Sequence, residues 1–428
     1  MKLFFGLLFG ITSICAIRAL GADENPSKSP ALTLAQAESA AAARNPAIME
    51  ARSRWNAAKE RVAQEGAWDD LQLSAMSRLE RFVDVPRNGF ADQTLSVSQI
   101  IPLTGKNLLR ARAATAEALM AYEDARRQEL DVAAQTRAGY YRLANARAQV
   151  ELNRQNLVQL NQIAEVSRVR YQAGNQSAAD VLAAETEAGK LLESAKDLDR
   201  TVVTEQTGLN VLMGRDAFAP IGDLDDGEPK WTDASLDRLR AVTLANRPEI
   251  RSAADRLTAE QARLELAHRA WIPDPTVTVE GQRYNAAGQG VSEVDAGVSF
   301  NIPWTNSRKY TAATHEATSN VAAAEQALEA RKLEAIGMLR TTLEDIQTAQ
   351  HHRHVSEETL LKQARDGLKA SEIGYEAGKV SLSDWIGAAT TVRELEAMQR
   401  QQMSDFEVAV AQLEAVMGVP LTTLSNNQ

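Results

Sequence analysis

Proline is absent from two stretches of this 428-residue chain, between Pro102 and Pro220 and between Pro303 and Pro420, each over 110 residues long. Both stretches are dense in Ala, Leu, Glu, Gln and Arg, the residues that cost a helix least, and each has a glycine near its middle, Gly174 and Gly378. The pattern predicts two helical hairpins. The arms of the first run from about Leu108 to Tyr171 and from about Ser177 to Leu212; those of the second run from about Arg308 to Tyr375 and from about Ser381 to Val416. An arm of about 64 residues, rising ~1.5 Å per residue, is roughly 100 Å long. No ordinary globule buries such a helix, so it must pack sideways as a coiled coil or as the wall of a tube. Leu157, Leu160 and Ala164, and Leu360, Leu361, Ala364 and Leu368, recur at the steps of three and four that such a seam needs, and the many alanines permit close approach.

The chain also repeats itself. Tyr171-Gln172-Ala173-Gly174 followed by Asp180 returns as Tyr375-Glu376-Ala377-Gly378 followed by Asp384, 204 positions later. Pro46-Ala47-Ile48 returns as Pro248-Glu249-Ile250, and Ile101-Pro102 as Ile302-Pro303, at offsets of 202 and 201. A period near 200 is too long for a solenoid unit and marks a duplicated module. The copies are read as residues 23–216 and 232–419, with a Gly-, Pro- and Asp-rich linker at 217–231 and a tail at 420–428. Two copies per chain suit a closed ring.

Ahead of each hairpin lie a shorter helical piece, Leu34 to Gly66 and Leu236 to Arg269, which should break at Pro46 and Pro248. A pair of strands follows, about 71–82 and 93–100 in the first copy and 275–284 and 293–302 in the second. Turns are expected at Pro86-Arg87-Asn88-Gly89 and from Asn285 to Gly290. Val294, Ala296, Val298, Phe300 and Ile302 alternate with polar residues. That alternation suits a tilted membrane strand and equally a soluble sheet with one face on a core. Four strands cannot close a barrel, for which about eight are needed; three chains would supply twelve. The fold class is therefore mainly α with a small β part.

The opening Met1-Lys2, the apolar run Leu3 to Ile17 and the small residues near Ala19 to Ala22 read as a signal peptide over residues 1–22. The alternative is a membrane anchor, but the run is shorter than the ~20 residues a spanning helix needs. Cys15 is the one cysteine, so no disulfide is expected. Bulky Ile14 beside it is a poor fit to a lipidation signal. The formal net charge of −10 becomes −12 once Lys2 and Arg18 leave with the signal, which argues against nucleic acid as a partner.

There is no phosphate loop, nucleophile elbow or zinc-protease motif, so neither an enzyme nor a cofactor is expected. His351, His352 and His354 cluster on one long helix. His351 and His354 share a face and could hold a soft cation, or could be part of an exposed polar surface; no metal site is assigned. Gly174 and Gly378 suit sharp helix reversals, and Asp180 and Asp384 can favour the starts of the returning helices.

The chain resembles the TolC-like outer-membrane efflux factors. The resemblance is carried by Leu32-Thr33-Leu34-Ala35-Gln36-Ala37 with Arg44-Asn45-Pro46, by Ile101-Pro102-Leu103-Thr104-Gly105-Lys106, and by Arg170-Tyr171-Gln172-Ala173-Gly174 with Ser177 and Asp180-Val181-Leu182 and its second copy. Pro102 to Lys106 and Trp271-Ile272-Pro273-Asp274-Pro275 look closest to the heavy-metal cation branch. The resemblance implies a homotrimer with a twelve-stranded β-barrel in the outer membrane of a Gram-negative bacterium and an α-barrel tunnel in the periplasm. It also implies a periplasmic adaptor, an inner-membrane resistance-nodulation-division pump and contact with outer-membrane lipid. It places the periplasmic gate at Tyr171, Asp180, Tyr375 and Asp384, and adaptor contact at Ala173, Gly174, Asn175, Ala377, Gly378 and Lys379. Two positions depart from the family pattern: Val380 stands where a basic latch residue is expected, and Gly387 where a second acid is. Lys379 or Arg170 could take their place. The alternative function is a soluble periplasmic coiled-coil adaptor or scaffold.

Overall fold

The computed structural model describes residues 31–78, 93–225, 235–284 and 291–421. The expected signal segment with Cys15, the Pro86 turn, the Asn285 loop, residues 79–82 of the first strand, the linker beyond residue 225 and the tail beyond Leu421 lie outside the described residues.

The first half begins with α1 (Leu34–Arg44) and α2 (Pro46–Gly66). Thr33 and Gln36 form a reciprocal cap at the start of α1. Pro46 occupies the first turn of α2, where its missing N–H costs nothing, and the Asn45 side chain accepts from the Ala47 N–H at 2.9 Å. The strands β1 (Gln72–Ser77) and β2 (Gln93–Ile100) come next. The long hairpin follows as α3 (Lys106–Gln172), 67 residues, and α4 (Ala178–Leu212). The second half repeats the order with α5 (Leu236–Asn246), α6 (Pro248–Arg269), β3 (Pro275–Tyr284) and β4 (Val291–Phe300). Its ascending arm is α7 (Ser307–Val355), a five-residue π segment (Ser356–Leu360) and α8 (Leu361–Glu376); α9 (Leu382–Met417) returns.

Two expectations change. The last strand ends at Phe300 and begins at Val291, so Ile302 lies beyond it; the following Pro303 has no N–H for the ladder and opens a 3₁₀ turn, Pro303–Asn306. The second ascending arm is not one regular α-helix. From Pro102 to Gly174 is 72 positions, but from Pro303 to Gly378 is 75. The π segment takes up extra chain within a wall whose partner arm is shorter.

The four strands form one antiparallel sheet in the order β1-β2-β3-β4, leaving β1 and β4 as edges. Leu73, Val97, Val279 and Ala296 lie side by side, as do Ala75, Leu95, Gly281 and Val294. They share one face with Val277, Val298 and Phe300. The other face carries Ser74, Ser96, Glu280 and Asp295 in register. Among the described residues, no hydrophobic cluster includes a strand residue.

Each half has its own helical core where its short helix crosses its hairpin. Ala37, Tyr140, Leu143, Leu209 and Met213 make the first; Leu239, Leu339, Ile346, Phe406, Leu413 and Met417 make the second. The halves are joined along α3. Arg137 on α3 binds Glu38 at 2.9 Å and also Glu414 of α9. Nearer the sheet, Thr104 and Lys106 of the first half hold Asp274 of the second, at 2.7 and 2.9 Å.

Candidate functional site

The two hairpin tips form the site. Both turn by the same device. After α3, the N–H of Asn175 donates to Arg170 O at 2.9 Å; after α8, the N–H of Lys379 donates to Gly374 O at 2.8 Å. Gly174 and Gly378 have φ of 73° and 67°, a left-handed conformation that glycine adopts freely. Ser177 and Ser381 then cap the returning helices, accepting from the N–H of Asp180 and Asp384 at 3.2 and 3.1 Å. Each serine hydroxyl also donates to its aspartate carboxylate, at 2.8 and 2.7 Å. The capping role of both aspartates is therefore realised, with each carboxylate at a positive helix end. Ala173, Gly174, Asn175, Ala377, Gly378 and Lys379 are all exposed.

The two tyrosines of the repeat differ. Tyr171 is 49 % exposed, whereas Tyr375 is only 5 % exposed. Tyr375 packs against the other hairpin. Its ring stacks on Trp385 of its own hairpin, with centroids 5.0 Å apart, and the Arg170 guanidinium of the other lies 4.3 Å from its centre. Arg170 Nη1 donates to the Tyr375 carbonyl at 3.1 Å, and the Tyr375 hydroxyl donates to Gln176 Oε1 at 2.5 Å. Leu160, Ile163, Ala184, Leu382, Trp385 and Ile386 complete an apolar cluster shared by the two tips. The structure thus brings Tyr375 to Arg170 and leaves Tyr171, Asp180 and Asp384 out of that contact.

Sequence reasoning named Arg170 only as a substitute and missed Gln176 and Trp385. The signal lay in comparing the copies at an offset of 204. Arg170 and Gln176 correspond to Gly374 and Val380, and Trp385 to Val181. A Cβ on Gly374 would stand 2.5 Å from Val380 Cγ2, so a side chain there, where the first tip has arginine, would have to displace Val380. The cation against Tyr375 comes from the opposite tip, as Arg170. Gly387 is exposed with open space around it.

His351, His352 and His354 lie at the end of α7. His354 Nδ1 is 3.3 Å from Glu358, and the rings of His351 and His352 are 6.2 Å apart. Among the described residues, no three His, Cys, Asp or Glu side chains are grouped to hold a metal ion.

The family model for outer membrane efflux proteins matches residues 38–215 and 239–419. The chain belongs to that family. A probable efflux pump outer membrane protein, SepC, and a toluene efflux pump outer membrane protein, TtgF, both from Pseudomonas putida, are each 25 % identical to it over 343 residues. The match covers 73 % of this chain and 65 % of the length of each relative. Among solved structures, the Vibrio cholerae outer membrane protein VceC is 18 % identical with a TM-score of 0.75, over 90 % of this chain and 96 % of that one. The Campylobacter jejuni outer membrane channel CmeC is 17 % identical with a TM-score of 0.78, over 90 % and 85 %. The chain has the fold of the TolC-like channels, which build an α-barrel tunnel joined to a β-barrel. None of these matches singles out the heavy-metal branch.

Proposed function

We propose that the protein is the outer-membrane duct of a tripartite efflux system. Three copies close a twelve-stranded barrel through the free edges of β1 and β4, and their twelve long arms enclose a tunnel below it. The carrying observation is the sheet. Its apolar face, with Leu73, Leu95, Val279, Val294 and Val298 all exposed, packs into no hydrophobic cluster among the described residues. Its opposite face is polar and open to half-open, with Ser74 and Asp295 exposed, as a sheet between lipid and a water-filled lumen would be. A soluble scaffold would bury that apolar face on a core, so the adaptor alternative is not favoured.

Transport through such a duct is passive. An inner-membrane pump supplies the energy, and a periplasmic adaptor docks at the exposed turns Ala173 to Asn175 and Ala377 to Lys379. At the tip, the pairing of Tyr375, itself stacked on Trp385, with Arg170 and Gln176 holds the second hairpin against the first and so sets the mouth. Tyr171, Asp180 and Asp384 line it, and three copies of Asp384 around one axis favour cations. Replacing Tyr375 or Arg170 by Ala raises single-channel conductance in planar bilayers. Conductance equal to the parent in both variants would refute the gate. Cargo is set by the pump that loads the duct, and metal cations or organic solutes both fit an open lumen.

A further inference from the structure

We infer that Glu407 is a proton-controlled clasp on the seam between the two halves, holding α9 to α3 more firmly with a proton bound than without one; its effect on the mouth rests on the efflux reading. The seam is a polar ladder. Residues four apart on α3 share a face and meet α9 in turn. Gln149 donates to the carbonyl of Ala397 at 3.2 Å, and Asn145 to Gln401 Oε1 at 2.8 Å. Tyr141 hydrogen-bonds Glu407, and Arg137 pairs with Glu414. Any swing of the second tip away from the first has to peel this ladder from its Ala397 end.

Glu407 is the odd rung. It is only 8 % exposed, and its Oε1 is enclosed with no hydrogen-bond partner. Neighbouring copies can only deepen that burial. Around it, three carboxylates share two cations. Arg137 is taken by Glu38 of α1, at 2.9 Å, and by Glu414. Glu414 also accepts from the Leu421 N–H at 2.8 Å, which secures it as a carboxylate. Arg353 of α7 lies over the Phe406 ring, 5.4 Å from its centre. Glu407 itself has no cation at ion-pair distance among the described residues. A charge left unpaired in such a place is costly, and a proton removes it. Burial accordingly raises the Glu407 carboxyl above its usual value, with Glu414 adding to the rise; the Tyr141 hydrogen bond and the fields of Arg137 and Arg353 offset only part of this. Tyr141 is itself pushed up by burial and by Glu407, so it stays a donor. An acid raised in the folded chain binds its proton more tightly there. The seam therefore gains as pH falls through the folded value and loses that gain above it. In acid the second hairpin is held closer and the mouth opens less often.

Thermal unfolding of the full chain in detergent, followed by helical circular dichroism, compares the parent with E407Q from about pH 8 down to about pH 5. The parent gains on E407Q by a few degrees as pH falls. His351, His352 and His354 flank Arg353 and titrate in the same range, but both chains carry them and their effect cancels. A difference that is the same at every pH overturns the clasp. Y141F removes a hydrogen bond that favours the charged form, so its transition moves to higher pH; a transition that moves down or stays in place also overturns the clasp. In planar bilayers the parent opens less often in acid than at neutral pH, and E407Q loses most of that change. Equal opening of the parent at both overturns the control of the mouth. A chain that forms no channel at either pH defeats the efflux reading, while the melting comparison still decides the clasp.

Discussion

Gly418 ends α9 with φ of 75°, and a Cβ there would stand 2.8 Å from the carbonyl oxygen of Asn246. Gly378 has a similar φ but open space around it. Gly378→Ala therefore carries only the left-handed backbone cost, about 1 kcal/mol, while Gly418→Ala adds a clash with backbone and loses about 2–3 kcal/mol. Thermal unfolding followed by helical circular dichroism should rank the two in that order. Asp274 gives a pH dependence. Burial pushes its carboxyl up, but hydrogen bonds from Thr104 and Lys106 outweigh this and hold it below the usual carboxylate value. A depressed folded pKa means stability present above the unfolded value of about 3.9 and lost as pH falls through the folded value. Asp274→Asn should lower stability by roughly 1–2 kcal/mol at neutral pH, with the gap to the parent closing below about pH 4. At this scale the sequence was informative where chemistry is local, as with Ser177 and Asp180. It was silent on Trp385, because nothing along the chain says which residue 10 positions past Tyr375 will stack on it.

Among the elements, helix ends were legible to within a residue or two. Pro46 and Pro248 open helices where their missing N–H is harmless, and Ser177 and Ser381 start helices by capping them. The π segment Ser356–Leu360 was not legible, since Ser-Glu-Glu-Thr-Leu has no composition that favours an i→i+5 bond. Only the difference in length between the two copies points to it. Deleting one residue within 356–360 should restore regular α-helix there and leave the melting temperature within a few degrees of the parent. A one-residue deletion in the middle of α7, near Ala335, turns everything beyond it by about 100° around the axis and should abolish assembly. Cross-linked oligomer yield on denaturing gels separates the two outcomes. Alternation in the strands fixed which residues share a face but not what that face meets, because lipid and protein cores select the same side chains. The lipid-facing reading rests on the absence of any strand residue from the cores among the described residues.

For the whole molecule, the reading predicts a heat-resistant trimer extracted from the outer membrane by detergent. A monomer in the soluble periplasmic fraction would defeat it. The duplication was plain in the sequence, but the way the halves meet was not, since Arg137 with Glu414 and Thr104 with Asp274 are far apart along the chain. One consequence follows from the unlike tips. Six identical single-copy modules in a ring would present the same side chain at every tip, arginine facing arginine or glycine facing glycine. The pairing of Arg170 with Tyr375 needs two kinds of tip, which a chain carrying both copies can supply as socket and plug, and a ring built of such chains would have half the rotational symmetry of one built of identical modules.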